Sequence, residues 1–184
     1  MKVELSEYQR HWRSAFEYEA DLIKELLGKN LREIHHIGST SVPGLLAKPI
    51  IDMVGGVTSL EECDATTDAL ARLGYIAMGE YGIPGRLFFR KTAQDGNRSH
   101  HLHVFEFGSP DILRHLVFRD YLIAHPDIAS AYADKKRKLV QDHDGDRDGY
   151  VDGKQEFAAD IEKTALEWYN EKRRLISSAP IAEA

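Results

Sequence analysis

The chain of 184 residues has one cysteine, Cys63, so no disulfide can form within it, and a disulfide-stapled secreted scaffold is excluded. It lacks any apolar run long enough to span a bilayer. The N-terminal Met1-Lys2-Val3-Glu4-Leu5-Ser6-Glu7 is charged from the start and has no signal-peptide core. Repeats and low-complexity tracts are absent. Basic residues are in deficit: 24 Lys and Arg against 30 Asp and Glu give a net charge of −6. That argues against a nucleic-acid coat while leaving room for a local basic pocket. What is there, 42% hydrophobic and 29% charged residues, suits a globular chain with a genuine core. The length fits one domain over residues 1–175, a mobile tail over 176–184 and a cytoplasmic, reducing setting with no membrane association.

Ser6-Glu7-Tyr8-Gln9 reads as a capping box opening a helix that Gly28 ends. Strands are predicted at Leu31–Ile37, Lys48–Val54, Tyr75–Met78, Leu87–Lys91 and His101–Phe107. A second capping box, Ser59-Leu-Glu-Glu62, opens a helix running to Gly74. Ser109-Pro110 starts a helix to about Ala124, Pro126 breaks it, and a second helix follows to about Asp142. A polar loop over Asp142–Gly149 leads into a third helix from Asp152 to about Leu175. The order is α+β: a mixed sheet flanked by helices, with a helical C-terminal part.

The chemistry-bearing stretch is Ile37-Gly38-Ser39-Thr40-Ser41-Val42-Pro43-Gly44, followed by Lys48-Pro49-Ile50-Ile51-Asp52. A Gly-Ser pair leaving a strand turns backbone N–H groups toward an anion, and the hydroxyls of Ser39, Thr40 and Ser41 add donors. Asp52 follows apolar residues at a strand end, where a charge needs a partner. Two readings stand at this level: an anion site, or a polar turn that Asp52 caps.

These motifs resemble the GrpB family, a branch of the nucleotidyltransferase superfamily. The likeness continues through Gly82-Ile-Pro-Gly-Arg86, Arg98-Ser-His-His-Leu-His-Val104, His115-Leu-Val-Phe-Arg-Asp-Tyr-Leu122, His125-Pro126, Tyr132, Lys138 and Tyr150-Val-Asp-Gly-Lys154. The resemblance implies a nucleotidyltransferase-like fold. It also implies a nucleotide or other small phosphate ligand at the Gly38-Ser39 turn, with Thr40, Ser41, Lys48, Arg86 and Arg98 completing the phosphate set. Carboxylates in that superfamily hold divalent metals, and the activity implied is transfer of a nucleoside monophosphate from a nucleoside triphosphate. The alternative is a non-catalytic nucleotide-, anion- or metal-binding module on the same fold.

Here the sequence departs from the pattern. Asp52 occupies the first acid position, Val54 stands at the second, and Leu102-His103-Val104 puts histidine at the third. Asp52 and His103 are the candidate catalytic residues, and Asp52, His101 and His103 the candidate metal ligands. One acid with imidazoles suits a transition metal better than magnesium. His101 and His103 share a strand face, and the resemblance, in which the first and third acid strands lie adjacent in one sheet, implies that they converge with Asp52. The histidines His35, His36, His115 and His125 read as structural. Asp144-Gly-Asp146-Arg-Asp148-Gly149-Tyr-Val151-Asp152 matches the first nine places of a calcium loop, but place twelve is Gln155 rather than glutamate.

Overall fold

Five short segments pair into one mixed sheet: β1 (Leu31–Ile37), β2 (Ile51–Val57), β3 (Tyr75–Ala77), β4 (Leu87–Thr92) and β5 (Arg98–Glu106). The structure is a computed structural model that describes residues 3–143 and 146–178, and the strand order is β1-β2-β5-β4-β3. Strands β2 and β5 are parallel, and the other neighbours are antiparallel. A parallel pair needs a long crossover, supplied here by α2 (Leu60–Asp64), α3 (Thr67–Arg72), β3 and β4.

The register of that parallel pair positions the site. Asp52 lies beside His101 and Val54 beside His103. Strand alternation then sorts the side chains onto two faces. On one, Ile51, Met53, Val57, Phe89, Leu102 and Val104 bury against Trp12, Ile23 and Leu27 of α1 (His11–Leu27) and against Cys63 and Leu70. On the other, Val54 and Phe105 pack with Ile112 of α4 (Pro110–Ala124). Behind α4, helices α5 (Pro126–Asp142) and α6 (Arg147–Ser178) close a second core around Val117, Leu122, Tyr132 and Ala165. The α+β architecture and the helical C-terminal part are as the sequence predicts.

Local differences have local causes. Ser6 does not cap α1: it pairs with Ala47 through two backbone hydrogen bonds of 2.8 and 3.0 Å, and the helix begins at His11 without a side-chain cap. Ser59 Oγ does accept from Glu62 N at 3.1 Å, but its own N–H donates to Asn30 Oδ1, so the box closes on one side. The single helix expected up to Gly74 is two, interrupted at Ala65-Thr66, where Thr66 Oγ1 donates to Cys63 O at 2.6 Å. Ser109 caps α4 through Asp111 N, with Pro110 in the first turn.

Helix α6 starts at Arg147 rather than Asp152 and extends to Ser178; of the expected tail, residues 179–184 lie outside the described residues. The calcium-loop reading fails on the same element. Asp144 and Gly145 lie outside the described residues, and places four to nine are helical, where calcium needs a wrapped loop. Among the described residues no helix is long and apolar enough to cross a membrane.

Candidate functional site

The site begins where β1 ends. Gly38 has φ +70°, and a Cβ there would stand 2.6 Å from Asp52 Oδ2, so both backbone conformation and close approach require glycine. A single turn of 3-10 helix follows, over Ser39–Ser41. Its three hydroxyls are not equivalent. Thr40, buried, donates to Ile50 O at 3.1 Å and accepts from His36 Nε2 at 3.0 Å; Ser41 donates to Gly38 O at 2.6 Å. Thr40 and Ser41, expected as phosphate donors, are committed to holding the turn. Ser39 is the hydroxyl that meets a cation: its Oγ accepts from Lys136 Nζ at 3.1 Å.

Lys136 is 1% exposed. It also donates to Leu46 O and lies 4.5 Å from the centre of the Tyr132 ring. Burial pushes its ammonium down to about 7, and Lys154 and Arg137 push the same way. Lys48 sits 4.5 Å over the Tyr150 ring. Around the turn opens a cavity of 590 Å³ between the sheet and α4–α6, lined by Ser39, Lys48, Arg98, Arg114, Lys136 and Lys154, with Asp52 and Glu162 as its acids.

The expected convergence of Asp52, His101 and His103 is present. Asp52 Oδ1 lies 2.9 Å from His101 Nδ1. Burial alone would raise the Asp52 carboxyl, but the hydrogen bond from His101 and the electrostatic pull of the surrounding groups, Lys154 among them, outweigh it and hold it below the usual range. An ionised carboxylate only accepts, so His101 Nδ1 carries the proton of this hydrogen bond. The His101 Nε2 is buried and has no hydrogen-bond partner among the described residues.

His103 is held the opposite way. Arg86 Nη1 donates to its Nδ1 at 3.1 Å, which leaves the proton on Nε2. Burial, reinforced by His115 and by the charge of Arg86, drives the His103 imidazole down to about 3. His115, with its ring centre 5.4 Å from that of His103, falls to about 4, from burial first and Arg114 second. Arg86, expected on phosphate, is 5% exposed and spends its other donors on Glu80 O and Tyr81 O. It is the residue that orients His103.

The expected divalent metal does not fit this arrangement. His103 presents a proton at Nε2, Val54 supplies no carboxylate, and Oδ1 of Asp52 already holds His101. Among the described residues no group of three His, Cys, Asp or Glu side chains is placed to hold a metal ion. The resemblance-derived set Asp52, His101 and His103 therefore gathers without forming a cage.

Sequence reading missed Lys136, Lys154, Arg114 and His115. For Lys136 a signal existed: Tyr132, Ala133, Lys136 and Leu139 form the buried stripe of α5, and a lysine in an apolar stripe is conspicuous. The other three depend on how α4 and α6 pack over the sheet.

The profile of the family described as GrpB protein matches residues 2–164. The UPF0157 protein YqkA of Bacillus subtilis is 44% identical over 167 residues, 91% of this chain and 48% of its own length, so the chain spans about half of that relative. The crystal structure of conserved protein GrpB from Enterococcus faecalis superposes with a TM-score of 0.85 at 43% identity, over 90% of this chain and 99% of that one. The Cid1 poly(U) polymerase bound to MgATP is far more distant, with a TM-score of 0.45 and 12% identity over 71% of this chain and 45% of that one. With nearly its whole length matched, the chain belongs to the GrpB protein family.

Proposed function

We propose that this protein binds the phosphate groups of a small molecule, of which a nucleotide is the best fit, in the cavity beside the Gly38-Ser39 turn. One observation carries the reading: in a chain of net charge −6, four cations (Lys48, Arg98, Lys136 and Lys154) line the same cavity as Asp52, beside an Arg114 that Asp111 and Glu162 already hold at 2.7 and 3.1 Å. Charges of one sign converge in a concave site when a ligand of the other sign completes it. Arginine forks and lysine ammonium groups are the usual partners of phosphate oxygens. The resemblance to nucleotidyltransferases supports a nucleoside phosphate as the ligand class.

Calorimetric titration with ATP and with tripolyphosphate, in EDTA and in magnesium, tests this. Binding should persist in EDTA, and Lys136→Met should weaken it at least about tenfold, the worth of one charge-assisted hydrogen bond. Equal affinity in the two proteins, or no binding in either, overturns the assignment.

A further inference from the structure

The surroundings of Lys136 suit a free amine as well as they suit a cation. Its Nζ donates to Ser39 Oγ at 3.1 Å and to Leu46 O, and it makes no ion pair among the described residues. A neutral amine has two N–H groups and one lone pair, so two oxygen acceptors satisfy it and leave the pair over. An ammonium group has a third N–H to place, and beyond those two oxygens stands the Tyr132 ring, its centre 4.5 Å from Nζ. Burial works in the same direction, lowering the ammonium to about 7, and Lys154 is the cation whose charge adds most to that shift. Buried as it is, Lys136 lines the 590 Å³ cavity together with Lys48 and Lys154. A desolvated lysine amine is a nucleophile toward carbonyl carbon, and here cations that suit a phosphate share its cavity.

We propose that Lys136 is a covalent binding site for a small phosphorylated aldehyde, its amine condensing with the carbonyl to an imine while Lys154 and Lys48 hold the phosphate. The inference rests on the phosphate reading above and adds a second ligand class to the same cavity. The nitrogen pair attacks the carbonyl carbon and a C–N bond forms. The carbonyl oxygen takes up a proton as the nitrogen loses one. The nitrogen pair then closes the C=N bond while the hydroxyl departs, and the last proton of the nitrogen goes with it as water. One amine and one aldehyde give one imine and one water, with no oxidant or reductant. Ser39 Oγ, 3.1 Å from the nitrogen, is the hydroxyl placed to pass protons between nitrogen and oxygen. Polyphosphate and aldehyde compete for one residue, because phosphate oxygens meet the ammonium form of Lys136 and the aldehyde consumes its free amine. Lys91, the lysine that both oxygens of Glu19 engage, does not line this cavity and has no part in the reaction.

The test uses the purified protein with glycolaldehyde phosphate at neutral pH. Cyanoborohydride reduces any imine to a secondary amine, and peptide mass spectrometry locates it. The label on Lys136 should exceed that on its exposed neighbour Lys138 by at least about tenfold, because burial leaves more of the Lys136 amine unprotonated. Glycolaldehyde without the phosphate should label Lys136 at least about tenfold less, since it lacks the charge-assisted contacts of the phosphate. Tripolyphosphate should protect Lys136 from the phosphorylated aldehyde while leaving the label on Lys138 in place. Lys136→Met should lose the excess label from this peptide and keep that on Lys138. Three results with the wild-type protein overturn the inference while calorimetric binding of tripolyphosphate stands: Lys136 labelled no more than Lys138, equal labelling by the two aldehydes, or no protection by tripolyphosphate. Failure of the wild-type protein to bind tripolyphosphate or ATP overturns the phosphate reading and this inference with it.

Discussion

Lys91 and Lys136 each carry an ammonium group into the protein, on opposite sides of one sheet. Lys91, on β4, meets both oxygens of Glu19 from α1, at 2.7 and 2.9 Å, and the Glu19 side chain is 3% exposed. Lys136, on α5, meets a hydroxyl, a backbone carbonyl and the face of a tyrosine, and makes no ion pair among the described residues. On the first side the charge is neutralised by the fold, and the surrounding contacts are those of an ordinary apolar core. On the second the protein has arranged dipoles around a cation and left its counter-charge to come from outside. Burying a charge in this way costs stability, and a fold retains that cost where a ligand offsets it.

Removing each ammonium group should therefore have opposite consequences. Lys91→Met strands the buried Glu19 carboxylate and should lower unfolding free energy by about 3–5 kcal/mol in urea titrations, with little change in ATP affinity per folded molecule. Lys136→Met strands no acid. Its stability at neutral pH should match or exceed that of the wild type, while ATP binding falls. If both variants are destabilised alike and neither loses affinity, the contrast between the two sides is false.

A second test compares two glycines of the same loop. Gly38 and Gly44 both have positive φ, +70° and +80°, so alanine strains the backbone at either position. They differ in surroundings. Around Gly44 a Cβ would meet nothing within 4 Å, whereas at Gly38 it would stand 2.6 Å from Asp52 Oδ2. Gly44→Ala should cost about 1 kcal/mol, as backbone strain alone, and Gly38→Ala about 1–3 kcal/mol. Only Gly38→Ala should also weaken ATP binding, because the displaced turn carries Ser39 and its contact with Lys136. Thermal melts and calorimetry on the two variants separate strain from site damage.

The sequence shows one of these sides more plainly than the other. Alternation in His101-Leu102-His103-Val104 was enough to place His101 and His103 on a common face, and the family resemblance added Asp52 on a neighbouring strand, where the observed register sets it beside His101. The Gly38-Ser39 turn was legible for a similar reason: glycine marks a backbone that no other residue tolerates. What the motif could not show is where each donor points. Thr40 and Ser41 look as available as Ser39, and only folded geometry reveals that Ile50 O and Gly38 O claim them. Arg86 sits in a motif as suggestive as any, yet its fork closes on two carbonyls and His103, because the Glu80–Arg86 loop wraps around it. The apolar stripe of α5 marks Lys136 as buried, but that it meets Lys154 and Arg114 over the sheet depends on how α4, α5 and α6 dock, which no local pattern encodes.

The finest distinction between the two lysines is their dependence on pH. Burial has lowered Lys136 from 10.5 to about 7. Between those values the unfolded chain holds a proton that the folded, ligand-free protein lacks, so stability rises with pH by up to about 1.4 kcal/mol per unit across that window. Below about 7 both states are protonated and this contribution is flat. Anion binding responds with the opposite sign. A bound phosphate favours the ammonium form, so above about 7 binding must take up a proton, and affinity should fall by up to about tenfold per pH unit. ATP titrated between about pH 7.5 and 9.5, where its own phosphates are fully ionised, isolates the lysine. The ligand-free protein should grow more stable over the interval in which it binds ATP less tightly, and calorimetry in buffers of different ionisation heat should register the proton taken up. Lys136→Met should abolish both slopes. Persistence of the affinity slope in that variant would assign the proton to another group and remove Lys136 from the phosphate site.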